Sequence, residues 1–299
     1  MRTVRDYVFA RLVAGLLWVG FRLPYRTRLR LLGAIAGRII APAVGFRRII
    51  RRNLALVCPD LPRAEVARIA REVPDNATRT LIEIFSGEEF LKVAAAAEIH
   101  GAEGLAALEQ AHASGRGVIL VSGHFGNYDV PRGVLSQRGF RVGGLYRPMS
   151  NRFFNPHYVA AISRISQPVF PRSRRGLAQM VRFLRGGGMV GMLIDQRMRH
   201  GAPLKFFGHT AYTALSAAEM ALKYNALVVP VYGLRRADGV NFDLLIEPPI
   251  AHTTPEQMTQ ELNDSLEAHV RRHMTQWLWL HNRWKPVHAR DRRKKRAAT

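Results

Sequence analysis

Gly115-Arg116-Gly117-Val118-Ile119-Leu120-Val121-Ser122-Gly123-His124-Phe125-Gly126-Asn127-Tyr128-Asp129 decides how the rest of the sequence is read. A glycine turn opens it. The run Val118–Val121 then has no polar alternation, as expected of a strand buried on both faces of a parallel sheet. A second glycine-flanked turn follows and leads into a helical stretch. Such strand ends are where open α/β sheets place their active sites. Gly123 and Gly126 permit a sharp turn and a close approach of substrate to backbone.

His124 and Asp129 are the chemical groups in this turn. Residues five apart on a continuous helix lie about 140° around the axis and cannot face one another. The sequence therefore predicts His124 in the turn and Asp129 in the first helical turn, pointing back. The carboxylate would hold one ring nitrogen and leave the other free as a general base. Ser122 reads as a strand serine donating a hydrogen bond, in preference to a nucleophile. Backbone N–H groups where the turn enters the helix are expected to hold an oxyanion. Asn127 is expected to bond either backbone or substrate.

Outward from this point, strand patterns at 140–146, 168–170, 189–194, 227–234 and 242–247 alternate with helical patterns at 152–166, 174–185 and 213–225. The expected fold is α/β: a mixed, mostly parallel sheet flanked by helices. Helices are expected over 61–98, interrupted at Pro74, over 103–113, and in one long final helix over 255–283. The organisation predicted is a membrane-associated helical segment at 1–50, a catalytic domain at 51–288 and a basic disordered tail at 289–299.

Of 299 residues, 45 are Lys or Arg against 22 Asp or Glu, a formal net charge of +23, while 47% are hydrophobic. That hydrophobic share supports a packed core. The charge calls for an acidic partner. Nucleic acid is disfavoured, since no zinc spacing, aromatic RNP-like strand pair or helix-turn-helix is present. The single cysteine, Cys58, excludes an intrachain disulfide and a Cys/His zinc cluster, and it fits a reducing compartment. No metal ligand cluster is apparent. Residues 8–21 are apolar except for Arg11, and Arg2, Arg5, Arg22, Arg26, Arg28 and Arg30 surround them. This run is shorter than the roughly 20 residues of a spanning helix. An apolar helix edged with arginines suits the interface of an anionic membrane, as a monotopic helix or a tilted single span.

Ser122–Asp129 resembles the H-x4-D/E motif of the lysophospholipid acyltransferase superfamily. Further segments are similar to the lipid A biosynthesis acyltransferases of the lauroyl/myristoyl type: Arg51–Leu54 with Pro59, Tyr146–Pro148, Leu193–Gln196, Phe206–Gly208, Val229–Val231, and Trp277–His281 with Arg283-Trp284. They are collinear and span nearly the whole chain. The resemblance implies a glycerol-3-phosphate acyltransferase-like fold. It also implies transfer of a fatty acyl chain from an acyl carrier protein thioester to a hydroxyl of a lipid A precursor, at the cytoplasmic face of the inner membrane. No cofactor beyond that donor is implied, and no acyl-enzyme is required. A phosphatidylinositol mannoside or another glycolipid or phospholipid is the alternative acceptor. The family often carries Glu where this chain has Asp129.

Within this frame Arg147, Arg164 and Arg172 are candidate ligands for acceptor phosphate through their planar forks. Arg197 and Arg199 could add to them. Asp195 ends a strand, and in mannoside-acylating relatives an acidic residue here is functionally important. It is expected to assist His124, bind sugar, or cap the chain locally. Gln196 beside it is a candidate substrate ligand. Phe206-Phe207 would line an acyl pocket or, more simply, pack in the core.

Overall fold

The computed structural model describes residues 2–286. The chain begins with α1 (Arg2–Gly20) and α2 (Tyr25–Ile35). A π-helical turn, Ala36–Ile40, carries α2 into the short α3 (Ala41–Ala43). Then come α4 (Phe46–Val57), α5 (Arg63–Ser86), α6 (Glu88–Ala95), β1 (Glu98–His100) and α7 (Ala102–Ala113). The central section is β2 (Val118–Ser122), α8 (Val130–Gln137), β3 (Val142–Tyr146), α9 (Asn155–Ile165), β4 (Val169–Pro171), α10 (Arg174–Arg185) and β5 (Met189–Leu193). A hairpin of β6 (Ala202–Phe206) and β7 (His209–Thr213) precedes α11 (Ser216–Tyr224), β8 (Leu227–Arg235), β9 (Phe242–Ile246) and α12 (Pro255–Arg272).

Seven strands form one sheet in the order β1-β9-β8-β2-β5-β3-β4, parallel throughout except for the β8–β9 pair. The expected α/β class with a mostly parallel sheet is what the chain adopts. Every residue of β2 is buried, because β2 has a strand on each side and helices on each face. Val118 and Leu120 pack with Phe90, Leu108, Val134 and Ile165 from α6 to α9. Ile119 and Val121 pack with Met180, Ala218, Met258 and Leu262 from α10 to α12. Each such large side chain contributes about 1.5–3 kcal/mol by leaving water. A third cluster joins α4 and α5 to the hairpin and the C-terminal segment through Ile50, Ile69, Phe206, Phe207, Trp277, Trp279 and Trp284. Phe206 and Phe207 are therefore core residues.

Three expectations need correction. Pro74 lies inside α5, which runs without a break to Ser86. A mid-helix proline costs about 3 kcal/mol, and the burial of Ile69, Val73, Ile82 and Ile84 on the same helix offsets it. The helix expected over 255–283 stops at Arg272, and residues 276–284 instead run as a strap across the turn that holds His124. The β6–β7 hairpin was not anticipated; it turns at Phe207 and Gly208, both with positive φ. The basic tail expected at 289–299 lies outside the described residues.

Helix α1 is apolar and exposed along nearly its whole length: Phe9, Leu12, Leu16, Trp18 and Val19 are each more than half exposed. Its N-terminal end touches the loop before α9, where Asn151 donates to the Asp6 carbonyl at 2.7 Å and Tyr7 meets Phe153 edge to face. Arg28 is buried against Glu89 and Ser86, so it fixes α2 to α6 and does not face a membrane. Among the described residues no single helix is long and apolar enough to cross a membrane. Tyr25–Ala43 with Phe46–Val57 forms a pair bent by 84° that passes by length and composition together.

Candidate active site

Ser122 on β2 is the register partner of Leu193 on β5. Two residues beyond each of them stand His124 and Asp195. Asp195 is fully buried. Its Oδ1 lies 2.8 Å from His124 Nδ1, and its Oδ2 accepts the His124 backbone N–H at 2.8 Å. The Trp277 indole donates to the same Oδ2 at 2.9 Å. Burial pushes the Asp195 carboxyl up. His124, by charge and by hydrogen bonds from ring and backbone, more than reverses this with help from His281, and holds the group well below the usual carboxylate range.

Asp195 therefore occupies the position expected for Asp129. Asp129 immediately precedes α8, and its carboxylate is ion-paired with Arg132 one helical turn on. Arg132 in turn donates to the Ser166 carbonyl at 2.9 Å. Its side chain lies over Gly144 and Gly191, register partners on β3 and β5; a Cβ on Gly144 would stand 2.8 Å from Arg132 Nε. The orienting bond from Asp129 to His124 is absent because Arg132 holds that carboxylate from the helix side.

The turn itself is held from behind. Gly126, with φ +54°, lies so close to β8 that a Cβ there would approach the Gly233 carbonyl to 2.0 Å. Asn127 donates to Glu83 at 2.8 Å, and its own Oδ1 accepts the Asp129 N–H. Glu83 is paired with buried Arg235. Asn127 thus serves the protein interior, not a substrate. The strap completes the clamp: Gly126 N–H donates to the Gln276 carbonyl and Leu278 N–H to the His124 carbonyl, both at 2.9 Å. Asn53 on α4 secures the strap by donating to the Trp279 and His281 carbonyls. Backbone donors of the turn are consequently engaged. The N–H groups of His124, Phe125, Gly126, Asn127, Asp129 and Val130 all donate within the protein. The backbone oxyanion hole expected from the sequence does not draw on these six.

A cavity of about 680 Å³ opens across the carboxyl ends of β2, β3 and β5, with His124 in its wall. One side is apolar, with Leu177, Met180, Val181, Met192, Leu215 and Met220; the other carries Ser122, Tyr128, Asp129, Arg132 and Tyr158. Arg147, Arg172 and Gln196 are exposed at this cavity, and Gln196 Nε2 is 3.4 Å from His124 Nε2. Arg164 is exposed on α9 and is not part of the lining, so it is not brought to the site. Asp195 stands behind His124 and not in the cavity wall, which favours the assisting role over sugar binding. Arg197 is held by the Lys285 and Pro286 carbonyls.

Sequence reasoning missed Arg132, Trp277 and His281. The His281 ring meets that of His124 edge to face at 4.8 Å, and its Nε2 is buried without a hydrogen-bond partner. Burial, with His124 and Arg283 adding and Asp195 opposing, depresses the His281 pKa to about 4. Ligand atoms of His124, Asp195 and His281 fall within 4.8 Å of one another, as do those of Glu98, His100 and Asp243 at the surface; either set could hold a cation. In the second set Arg236 already bridges Glu98 and Asp243. No local ligand spacing signals either group.

A family model described as bacterial lipid A biosynthesis acyltransferase matches residues 1–286. The chain belongs to this family. It is an acyltransferase of the lipid A biosynthesis type. The chain is similar to the lipid A biosynthesis palmitoleoyltransferase of Escherichia coli (strain K12), 27% identical over 283 residues that cover 91% of this chain and 89% of the relative. It is similar to the lipid A biosynthesis lauroyltransferase of the same organism, 25% identical with the same coverage. A lipid A biosynthesis acyltransferase of Haemophilus influenzae is 26% identical over 255 residues, covering 81% of this chain and 79% of the relative.

Proposed function

We propose that this acyltransferase moves a fatty acyl chain from an acyl carrier protein thioester to a hydroxyl of a lipid A precursor, with His124 as general base and Asp195 as its orienting carboxylate. The observation that carries this reading is the position of His124: Nδ1 against a buried carboxylate, the ring in the wall of a cavity that is apolar on one side and rimmed by arginines. With Nδ1 protonated towards Asp195, Nε2 accepts the proton of the acceptor hydroxyl. The hydroxyl oxygen attacks the thioester carbonyl carbon. The carbon–sulfur bond breaks, and the thiolate leaves with the proton from His124. Bases of this kind contribute roughly 10²–10⁴ in rate.

The apolar wall suits an acyl chain of the lauroyl or palmitoleoyl class that the relatives' names carry. Arg147 and Arg172 suit an acceptor phosphate. The net charge of +23 suits both an acidic carrier protein and an anionic surface. Residues 1–50 act as the attachment to the cytoplasmic face of the inner membrane, with α1 lying in the interface, and residues 51–288 act as the catalytic domain. A helix that exposes Phe9, Leu12, Leu16, Trp18 and Val19 together gains by burying them in lipid.

The test is purified enzyme with acyl carrier protein thioesters and a tetra-acylated lipid A precursor. Transfer that is lost in His124→Ala with unchanged circular dichroism is the expected result. Full turnover in that variant removes His124 from the mechanism. Transfer only to a phosphatidylinositol mannoside or a glycerophospholipid replaces the acceptor and keeps the chemistry.

A further inference from the structure

Resting on the reaction just proposed, we infer that Ser122 is a catalytic residue whose hydroxyl donates to the thioester carbonyl oxygen as that oxygen becomes an oxyanion. Ser122 is the last residue of β2, two before His124, and only 5% exposed. Its Oγ is buried and has no hydrogen-bond partner. Among the described residues the other four buried serine and threonine side chains are all bonded: Thr80 to the Gly126 carbonyl, Ser166 to that of Val142, Thr213 to that of Ala211 and Thr259 to that of Pro255. A buried hydroxyl left unpaired destabilises the folded protein by about 1–3 kcal/mol. A partner that arrives with the substrate resolves it.

The direction of the side chain supports that partner. Along β2 the residues alternate between the two faces, so Ser122 shares the face of Leu120, which with Gly144, Gly191 and Val231 lines the cavity beside His124. Few other donors are open at this place. Six backbone N–H groups of the turn are committed elsewhere, and Arg132 Nη1 and Nη2 serve Asp129, Ile162 and Ser166, which leaves Arg132 Nε as the other buried donor of this wall without a partner. A nucleophilic serine is disfavoured by the same geometry. Ser122 Oγ has no bond to His124, whose Nδ1 faces Asp195 and whose Nε2 faces Gln196. In the inferred step the attacking alcohol bonds to the thioester carbon and the carbonyl electron pair moves to oxygen. The Ser122 O–H donates to that oxygen without giving up its proton, and the oxygen returns its electrons as the thiolate departs.

The test is steady-state kinetics of Ser122→Ala with a lauroyl acyl carrier protein thioester and a tetra-acylated lipid A precursor, beside His124→Ala and a thermal melt of each variant. Loss of one oxyanion donor typically lowers kcat by about 10²–10³-fold. The expected result is that loss, KM within a few-fold, an unchanged pH profile, and a melting temperature equal to or above that of the parent. A kcat within threefold of the parent overturns the inference. So does a loss of rate that tracks a lowered melting temperature, which marks a structural role, or an altered pH profile, which marks an action through His124. An acyl group found covalently on Ser122 by mass spectrometry overturns it in favour of a nucleophile. An inactive His124→Ala beside an unaffected Ser122→Ala removes this inference alone, whereas an active His124→Ala removes the reaction on which it rests.

Discussion

Asp195 grips His124 twice, with Oδ1 on the ring and Oδ2 on the backbone N–H of the same residue. A carboxylate can accept both bonds at once, and an amide cannot. Asp195→Asn places an NH2 group against either the ring nitrogen or the backbone donor. The expected result is a kcat lower by about 10²–10⁴-fold, the range of a mispositioned base, with far-ultraviolet circular dichroism unchanged. Parental turnover in this variant would show that the ring needs no orienting carboxylate.

Asp129 predicts a different phenotype. Asp129→Ala leaves Arg132 charged and unpaired in the interior, which typically destabilises by about 3–5 kcal/mol. Denaturant unfolding should record that loss. The double variant Asp129→Ala/Arg132→Met should recover most of it, because removing both charges leaves no orphan. No recovery in the double variant would argue against a pairwise origin.

His281 makes stability depend on pH. Its folded pKa of about 4 lies below its ordinary 6.5, so between these values the unfolded chain binds more protons than the folded one. Stability should be fully present above pH 6.5, fall as the pH drops towards 4, and stop falling from this source below that. His281→Phe should flatten this part of the curve in thermal melts at pH 4–7. An unchanged slope would place the titration elsewhere.

Leu16 and Trp18, 72% and 63% exposed on α1, should each insert into lipid with about 1.5–3 kcal/mol. Leu16→Glu/Trp18→Glu should cut co-sedimentation with phosphatidylglycerol vesicles at least tenfold while leaving the melting temperature unchanged. Equal sedimentation of parent and variant would exclude this face as the contact.

The sheet was legible because its central strands are short unbroken apolar runs between glycine turns, and the helices between them keep their own spacing. The hairpin was not. Its strands alternate only partly, with Pro203 inside one of them, and it finds its place by packing Phe206 and Phe207 among Trp277, Trp279 and Trp284. At the site the histidine was legible from its turn, whereas Asp195 entered only through the family resemblance, with assistance to His124 as one of three roles, and spacing pointed to Asp129 instead. Asp129 is five residues away in sequence and faces Arg132, while Asp195 is 71 residues away and arrives through the register of β2 with β5. Local spacing carries no record of such a meeting. Asn127 was left open between backbone and substrate for the opposite reason: a polar residue beside a candidate histidine suits either role until its contact with Glu83 is seen.

The strap over residues 276–284 has a temporal consequence. Gln276, Trp277 and Leu278 supply a carbonyl to Gly126, an indole bond to Asp195 and an N–H to the His124 carbonyl. A polypeptide still emerging from the ribosome, or one clipped ahead of residue 276, holds every letter of the histidine motif and the distant aspartate as well. It lacks the brace that sets them, so the turn takes its shape only once residues 276–284 have been made and laid across it.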